Sequence, residues 1–162
     1  MEGTDFGNTY APVSKLTTFH MLMSIAARHG WTIDHMDITT AFLNLKINCD
    51  KVYMSLPPGM DWIDLKLFNR GVHSVRLRKA LYGLQQAPKL WFDKIDGFLL
   101  SIGFKPSAAD PNLYIKRLVI LLLYMDDMII VASSGILLLE TDRKCHSKIS
   151  QPSPSGPKSR NF

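Results

Sequence analysis

Cysteine is nearly absent. Cys49 and Cys145 lie far apart, in no spacing that suits a zinc site or a disulfide framework, which points to a reducing compartment. Long apolar runs are absent too. The longest stretches, residues 118–125 and 128–132, are separated by Asp126-Asp127. A membrane span needs roughly 18 or more apolar residues, and an Asp at the bilayer centre costs about 2.5–3.5 kcal/mol. The opening Met1-Glu2-Gly3-Thr4-Asp5 is acidic and polar, with none of the basic-then-apolar pattern of a secretory leader. The expectation is an intracellular protein, cytoplasmic or nuclear, that is not secreted and has no membrane partner. No internal repeat is visible. The body also lacks a charge excess. Arg143, Lys144, Lys148, Lys158 and Arg160 all follow the last acid, Asp142, and account for the whole net charge of +5. The high pI is therefore a property of the tail and does not mark the body as a nucleic-acid binder.

What is present is one domain's worth of chain, or part of a larger one: 162 residues, 46% of them hydrophobic, enough for a core. After an irregular start ending at Pro12, Ser14 is placed to cap a helix over about 15–29, with Leu16, Phe19, Leu22, Met23 and Ala26 on one face and Gly30 at its end. Residues 31–38 alternate loosely and read as a strand carrying Asp37 near its end. Residues 52–56 form a short strand stopped by Pro57-Pro58-Gly59. Residues 60–72 read as a loop, and 73–77 as another short strand. Pro88 opens the clearest amphipathic helix, with Trp91, Ile95, Phe98, Leu99 and Ile102 at helical spacing and Gly103 closing it. A strand begins at residues 112–116. After Gly135 the character changes, and residues 150–160 are rich in Ser, Pro, Gly and Lys, as in disordered tails.

The centre of the chain is Leu121-Leu122-Leu123-Tyr124-Met125-Asp126-Asp127-Met128-Ile129-Ile130-Val131. Two β-favouring runs broken by two turn-tolerant residues predict a hairpin with the acids at its tip. Asp126-Asp127 could be an ordinary solvated turn. Asp37 alone could be an ordinary strand end, and His35 reads as structural. If folding brings Asp37 to the hairpin, 89 positions away (126 minus 37), three carboxylates meet. A divalent cation is the usual way to make that tolerable. Arg76, Arg78, Lys79 and Lys89, interleaved with Tyr82 and Trp91, suit either a nucleotide or nucleic-acid surface or a solvated charge run.

These residues resemble a known family. Tyr124-Met125-Asp126-Asp127 is similar to the YxDD motif of reverse transcriptases. Five further blocks resemble, in order, those of copia-type LTR-retrotransposon polymerases. Tyr10-Ala11-Pro12-Val13-Ser14-Lys15 is similar to FAPVAR. Met36-Asp37-Ile38-Thr39-Thr40-Ala41-Phe42-Leu43-Asn44 is similar to LDVKTAFLNG. Val52-Tyr53-Met54 with Pro57-Pro58-Gly59 is similar to VYMxQPPG. Ala80-Leu81-Tyr82-Gly83-Leu84-Gln85-Gln86-Ala87-Pro88 is similar to ALYGLKQAP. Ala109-Asp110-Pro111-Asn112-Leu113-Tyr114 is similar to ADPSLY. The likeness covers about residues 3–135.

The resemblance implies an α+β fold: a polymerase palm-like antiparallel sheet backed by helices, with partial fingers and no thumb. It implies RNA-directed DNA polymerase chemistry, with an RNA template, a DNA primer and a deoxynucleoside triphosphate as partners. Asp37, Asp126 and Asp127 would be the catalytic acids and the ligands of two Mg²⁺ ions. Phe42 would be the aromatic gate that excludes a ribose 2′-hydroxyl. Tyr82, Gly83 and Gln86 would lie against the incoming nucleotide and template. Against the family pattern, the basic fingers segment before the first block, the downstream palm and thumb and the RNase H domain are not matched. The turn after Lys116-Arg117 is shortened, which predicts strained pairing there. The expectation is thus a truncated polymerase domain over 1–135 and a divergent, basic, disordered tail over 136–162, with other polymerase segments of the same element as partners. The alternative is a catalytically inactive remnant that binds nucleic acid weakly.

Overall fold

The computed structural model describes residues 9–38, 41–47, 52–55 and 74–149. The first helix, α1 (Leu16–His29), leads into β1 (Thr32–Asp37) and a 3-10 turn at Phe42–Asn44. Two short strands, β2 (Tyr53–Ser55) and β3 (Ser74–Arg76), pair with each other. Helix α2 (Ala87–Ser101) precedes β4 (Lys105–Pro106), β5 (Leu113–Lys116), β6 (Val119–Tyr124) and β7 (Asp127–Ala132), and α3 (Gly135–Ile149) follows. The fold is α+β. Its main sheet is antiparallel, in the order β1-β7-β6-β5-β4.

The apolar runs of β6 and β7 are nearly continuous because both faces of the sheet are covered. Side chains alternate across a strand. Leu121, Leu123, Met128, Ile130 and Ala132 join Ala87, Trp91, Ile95 and Leu99 of α2 in one core. Leu122 and Val131 join Leu22 and Ala26 of α1 in a second core on the opposite face. Burying these strands on both sides holds the β6–β7 hairpin rigidly, and so fixes whatever its tip carries.

Several expectations are corrected. Residues 136–149 are not part of a disordered tail. They form α3, which packs on β7 and β1 through Leu138, Thr141 and Cys145. The spacings of three and four put those residues on one helical face. Burial, with the nearby Asp142 charge, pushes the Cys145 thiol up to about 12, so it behaves as an inert small hydrophobe. Leu16 is exposed rather than in the core. Ser14 does not cap α1. Lys15 holds the cap position, without a side-chain cap bond of its own. The cap comes instead from Asp110, 95 residues away, whose Oδ2 accepts from the Lys15 backbone N–H at 3.0 Å and from Thr18 Oγ1 at 2.7 Å. The expected Pro57-Pro58-Gly59 stop, the loop 60–72 and the tail 150–160 lie outside the described residues.

The shortened β5–β6 turn pairs fully, from Leu113 opposite Leu122 to Lys116 opposite Val119. Its strain is confined to Arg117, at φ 51°. The left-handed conformation costs an L-residue about 1–2 kcal/mol, partly offset for glycine by about 0.4–1 kcal/mol of unfolded-chain entropy. Arg117→Gly should therefore gain about 0.5 kcal/mol in thermal denaturation. Arg117→Val, stiff at Cβ, should lose about 1 kcal/mol or more. The reverse order would mean that Arg117 carries no strain.

Candidate active site

Strand register brings the three acids to one end of the sheet. β1 pairs with β7 so that Asp37 stands directly opposite Asp127. β6 and β7 pair from Tyr124 opposite Asp127, which leaves Met125 and Asp126 as a two-residue turn. Asp126 thus occupies the tip, and Asp127 is the first residue of β7. The Ile38 N–H donates to the Asp126 carbonyl at 3.2 Å, tying the chain just beyond Asp37 to that tip.

The turn is held from the side. Met125 has φ 53°. The carbonyl of Met125 accepts from the buried Trp91 indole N–H of α2 at 2.7 Å. The core helix therefore fixes the turn that aims Asp126. The sequence places Trp91 both in the apolar stripe and among the basic and aromatic residues of a possible binding surface; it is buried in the core, and no local signal reveals its bond to the turn.

Each hairpin acid has an internal donor. Tyr82 donates its hydroxyl to Asp126 Oδ2 at 3.0 Å. His35 Nε2 lies 3.1 Å from Asp127 Oδ1. The second contact is not legible in the sequence beyond the spacing of two that sets His35 and Asp37 on the same face of β1. Burial raises the Asp126 pKa above the ordinary carboxylate range, the Tyr82 hydroxyl works against that rise, and the charges of Asp127 and Asp37 add to it. Burial also raises the Tyr82 pKa, helped by its bond to Asp126 and by the charges of Asp126 and Asp37. The charges of Asp127 and Asp37 thus both act on Asp126.

The remaining candidates separate into two groups. Phe42 is buried, and its ring meets the Tyr82 ring edge-on with centroids 4.7 Å apart. Gly83 follows at φ 92°, a conformation that favours glycine. Of these three, Tyr82 touches Asp126 directly, and Phe42 and Gly83 adjoin Tyr82. Gln86 sits at the N-cap of α2, four residues beyond Tyr82, and its carbonyl accepts from the Leu90 N–H. On the α1 side of the hairpin, a cleft of about 480 Å³ is lined by Lys15, Phe19, His35, Tyr124 and Asp127 among others.

The donor set suits a hard divalent cation. Three carboxylates converge, and Asp126 Oδ1 is buried with no hydrogen-bond partner. The side chains do not form a finished cage, however. Among the described residues no group of three or more His, Cys, Asp and Glu side chains is arranged to hold a metal ion. Asp126 and Asp127 are instead engaged with Tyr82 and His35.

Residues 1–150 match the family model described as reverse transcriptase (RNA-dependent DNA polymerase). The chain is 38% identical over 143 residues to the retrovirus-related Pol polyprotein from transposon RE1 of Arabidopsis thaliana, an alignment covering 86% of this chain and 9% of that protein. It is 36% identical, with the same coverage, to the corresponding polyprotein from transposon RE2 of the same plant. It is 38% identical to that from transposon TNT 1-94 of Nicotiana tabacum, covering 85% of this chain and 10% of that protein. The chain therefore spans about a tenth of the length of these curated relatives.

Proposed function

The chain belongs to the reverse transcriptase (RNA-dependent DNA polymerase) family, among the copia-type retrotransposon sequences, and on that premise we propose that it forms the palm-like acid-bearing part of a template-directed nucleotidyl transferase. The observation that carries this reading is the convergence of Asp37, Asp126 and Asp127 from two strands onto one sheet end, with an unpartnered carboxylate oxygen among them.

In this reading Asp37 and Asp126 hold Mg²⁺, and Asp127 is the third acid beside them. Bound divalent ions supply activation of a primer 3′-hydroxyl and neutralisation of a leaving pyrophosphate. The chain's own residues do the rest. The strand pairing and the Trp91 bond set the acids in place, which is the positioning part of such catalysis. Phe42, braced edge-on by Tyr82, is placed to press against a sugar and exclude a 2′-hydroxyl. Tyr82, Gly83 and Gln86 supply the surface for the nucleotide and template. The partners are an RNA template, a DNA primer, a deoxynucleoside triphosphate and further segments of the same element. We place the reaction inside the cell; among the described residues no helix is long and apolar enough to cross a membrane.

The test is extension of a DNA primer annealed to an RNA template in Mg²⁺. The expected result is template-directed extension that requires Asp37 and Asp127 separately. Extension that survives Asp37→Asn and Asp127→Asn would overturn the acid assignment. A second reading, an inactive remnant with weak nucleic-acid binding, draws support from the engagement of the acids with Tyr82 and His35. It predicts no extension, together with a salt-dependent affinity that is lost when Arg143, Lys144, Lys148, Lys158 and Arg160 are replaced by Gln.

A further inference from the structure

Asn112 is 1% exposed, and its backbone is fully engaged. Its N–H donates to Asp110 Oδ1 at 3.0 Å, and its carbonyl accepts from the Leu123 N–H at 2.9 Å. Its side chain is not: among the described residues, Nδ2 has no hydrogen-bond partner. A buried amide donor left unpaired is costly, and folded proteins hold few of them. Leu113 faces the α1 core and Tyr114 the α2 core, so alternation turns Asn112 toward α2. On that face Asn112 lines a cavity of about 330 Å³. We propose that this cavity is a binding site for a small, neutral, largely apolar molecule with a carbonyl-type acceptor that takes the Asn112 amide N–H. The assignment goes beyond the polymerase reading and holds whether or not the acids bind a cation.

The walls select for that chemistry. None of the described lining residues is charged, so the cavity offers no counter-charge to a phosphate or a carboxylate. Phe42, Trp91 and Phe92 supply rings, and Pro12, Leu123 and Met125 supply further apolar surface. The Trp91 indole N–H is committed to the Met125 carbonyl, so it does not compete with Asn112 for an acceptor. A carbonyl on an aromatic body pairs with the Asn112 amide and packs on the rings. The volume lies at the low end of the roughly 300–1,000 Å³ of small-molecule sites, and an apolar cavity of about 150 Å³ already holds a benzene ring. Met125 precedes Asp126 in the hairpin turn, so an occupant packs directly on the residue next to that acid.

Acetophenone is a ring with one carbonyl, and α-methylstyrene has the same shape with a methylene in place of the oxygen. Titrating each into the full chain, followed by heteronuclear NMR, tests the site without any turnover. Acetophenone should move the Asn112 side-chain amide signals downfield and shift the Trp91 indole signal. Trp31, packed in the α1 core, should stay in place. Asn112→Leu keeps the branched shape and deletes the donor. It should weaken acetophenone binding about threefold to tenfold, the range that one net hydrogen bond corresponds to. Binding of α-methylstyrene should stay equal or tighten, because it never used that donor. Acetophenone binding that Asn112→Leu leaves unchanged, or weakens no more than that of α-methylstyrene, would overturn the bond. So would Asn112 amide signals that acetophenone leaves unmoved, a readout that needs no variant. Binding of neither molecule, or shifts that spare Trp91, would overturn the site itself.

Discussion

Asp126→Asn should lose template-directed extension by about 10³-fold or more, yet yield a protein that is more stable at neutral pH. Each half of the result has its own cause. Replacing a carboxylate oxygen by an amide removes a ligand from a site whose proposed chemistry is almost wholly electrostatic. The same change removes a charge that the fold holds at some expense. Burial raises the Asp126 pKa, and Asp127 and Asp37 add to the rise against the Tyr82 hydroxyl. A group whose folded pKa is raised favours the folded state below its unfolded value and loses that advantage as pH rises through the folded pKa. The stability gain from Asn should therefore be absent in acid, where Asp126 is protonated, and should grow as pH rises past the ordinary carboxylate range. Thermal denaturation across pH measures it. Equal or lower stability of the variant at neutral pH would mean that Asp126 is not a strained charge. Like charges directly opposite on paired strands are themselves destabilising, so Asp37 facing Asp127 adds to the same electrostatic cost.

The second large effect lies away from the acids. Asp110 is almost fully buried. It accepts from the Lys15 N–H, the Thr18 hydroxyl and the Asn112 N–H, at 3.0, 2.7 and 3.0 Å. Asp110→Ala strands these donors. At about 1–3 kcal/mol for each buried donor left without a partner, with Lys15 partly relieved by water, the loss should be about 3 kcal/mol or more. That is a large share of the roughly 5–15 kcal/mol that holds a domain together. Urea denaturation should show the loss directly, and a shift under about 1 kcal/mol would mean that α1 is anchored by its apolar face alone. Burial by itself raises the Asp110 pKa, but the Thr18 hydroxyl, the two backbone N–H groups and the Lys15 ammonium outweigh it and hold the carboxyl below its usual range. The stabilisation from this group is therefore present above the ordinary carboxylate pKa and is lost as pH falls through the lowered one. Activity should fall as well, because α1 and the segment before it line the cleft beside Asp127.

Part of this architecture is legible in the sequence alone. The stripe of Trp91, Ile95 and Leu99 gives α2 because the 3.6-residue turn puts those positions on one side whatever surrounds them. Gly30 ends α1 at φ 64° for an equally local reason. The hairpin is local too: its two arms adjoin in sequence, and a two-residue link leaves one close pairing. Helix α3 is not legible in the same way, although Leu138, Thr141 and Cys145 carry the right spacing. Its outward face mixes exposed Ile136 and Leu139 with charge and blurs the pattern.

Chain order and local periodicity determined α1, α2 and the hairpin, because backbone geometry acts between near neighbours, while the resemblance of the sequence blocks to reverse transcriptases singled out the three acids. Tertiary structure alone decided that Asp37 faces Asp127, that His35 and Tyr82 hold the hairpin acids, that Trp91 grips the Met125 carbonyl, and that Asp110 rather than Ser14 caps α1. Those contacts join residues between 34 and 95 positions apart. Hydrogen bonds and charge coupling depend on distance through space, which strand register sets and sequence spacing does not.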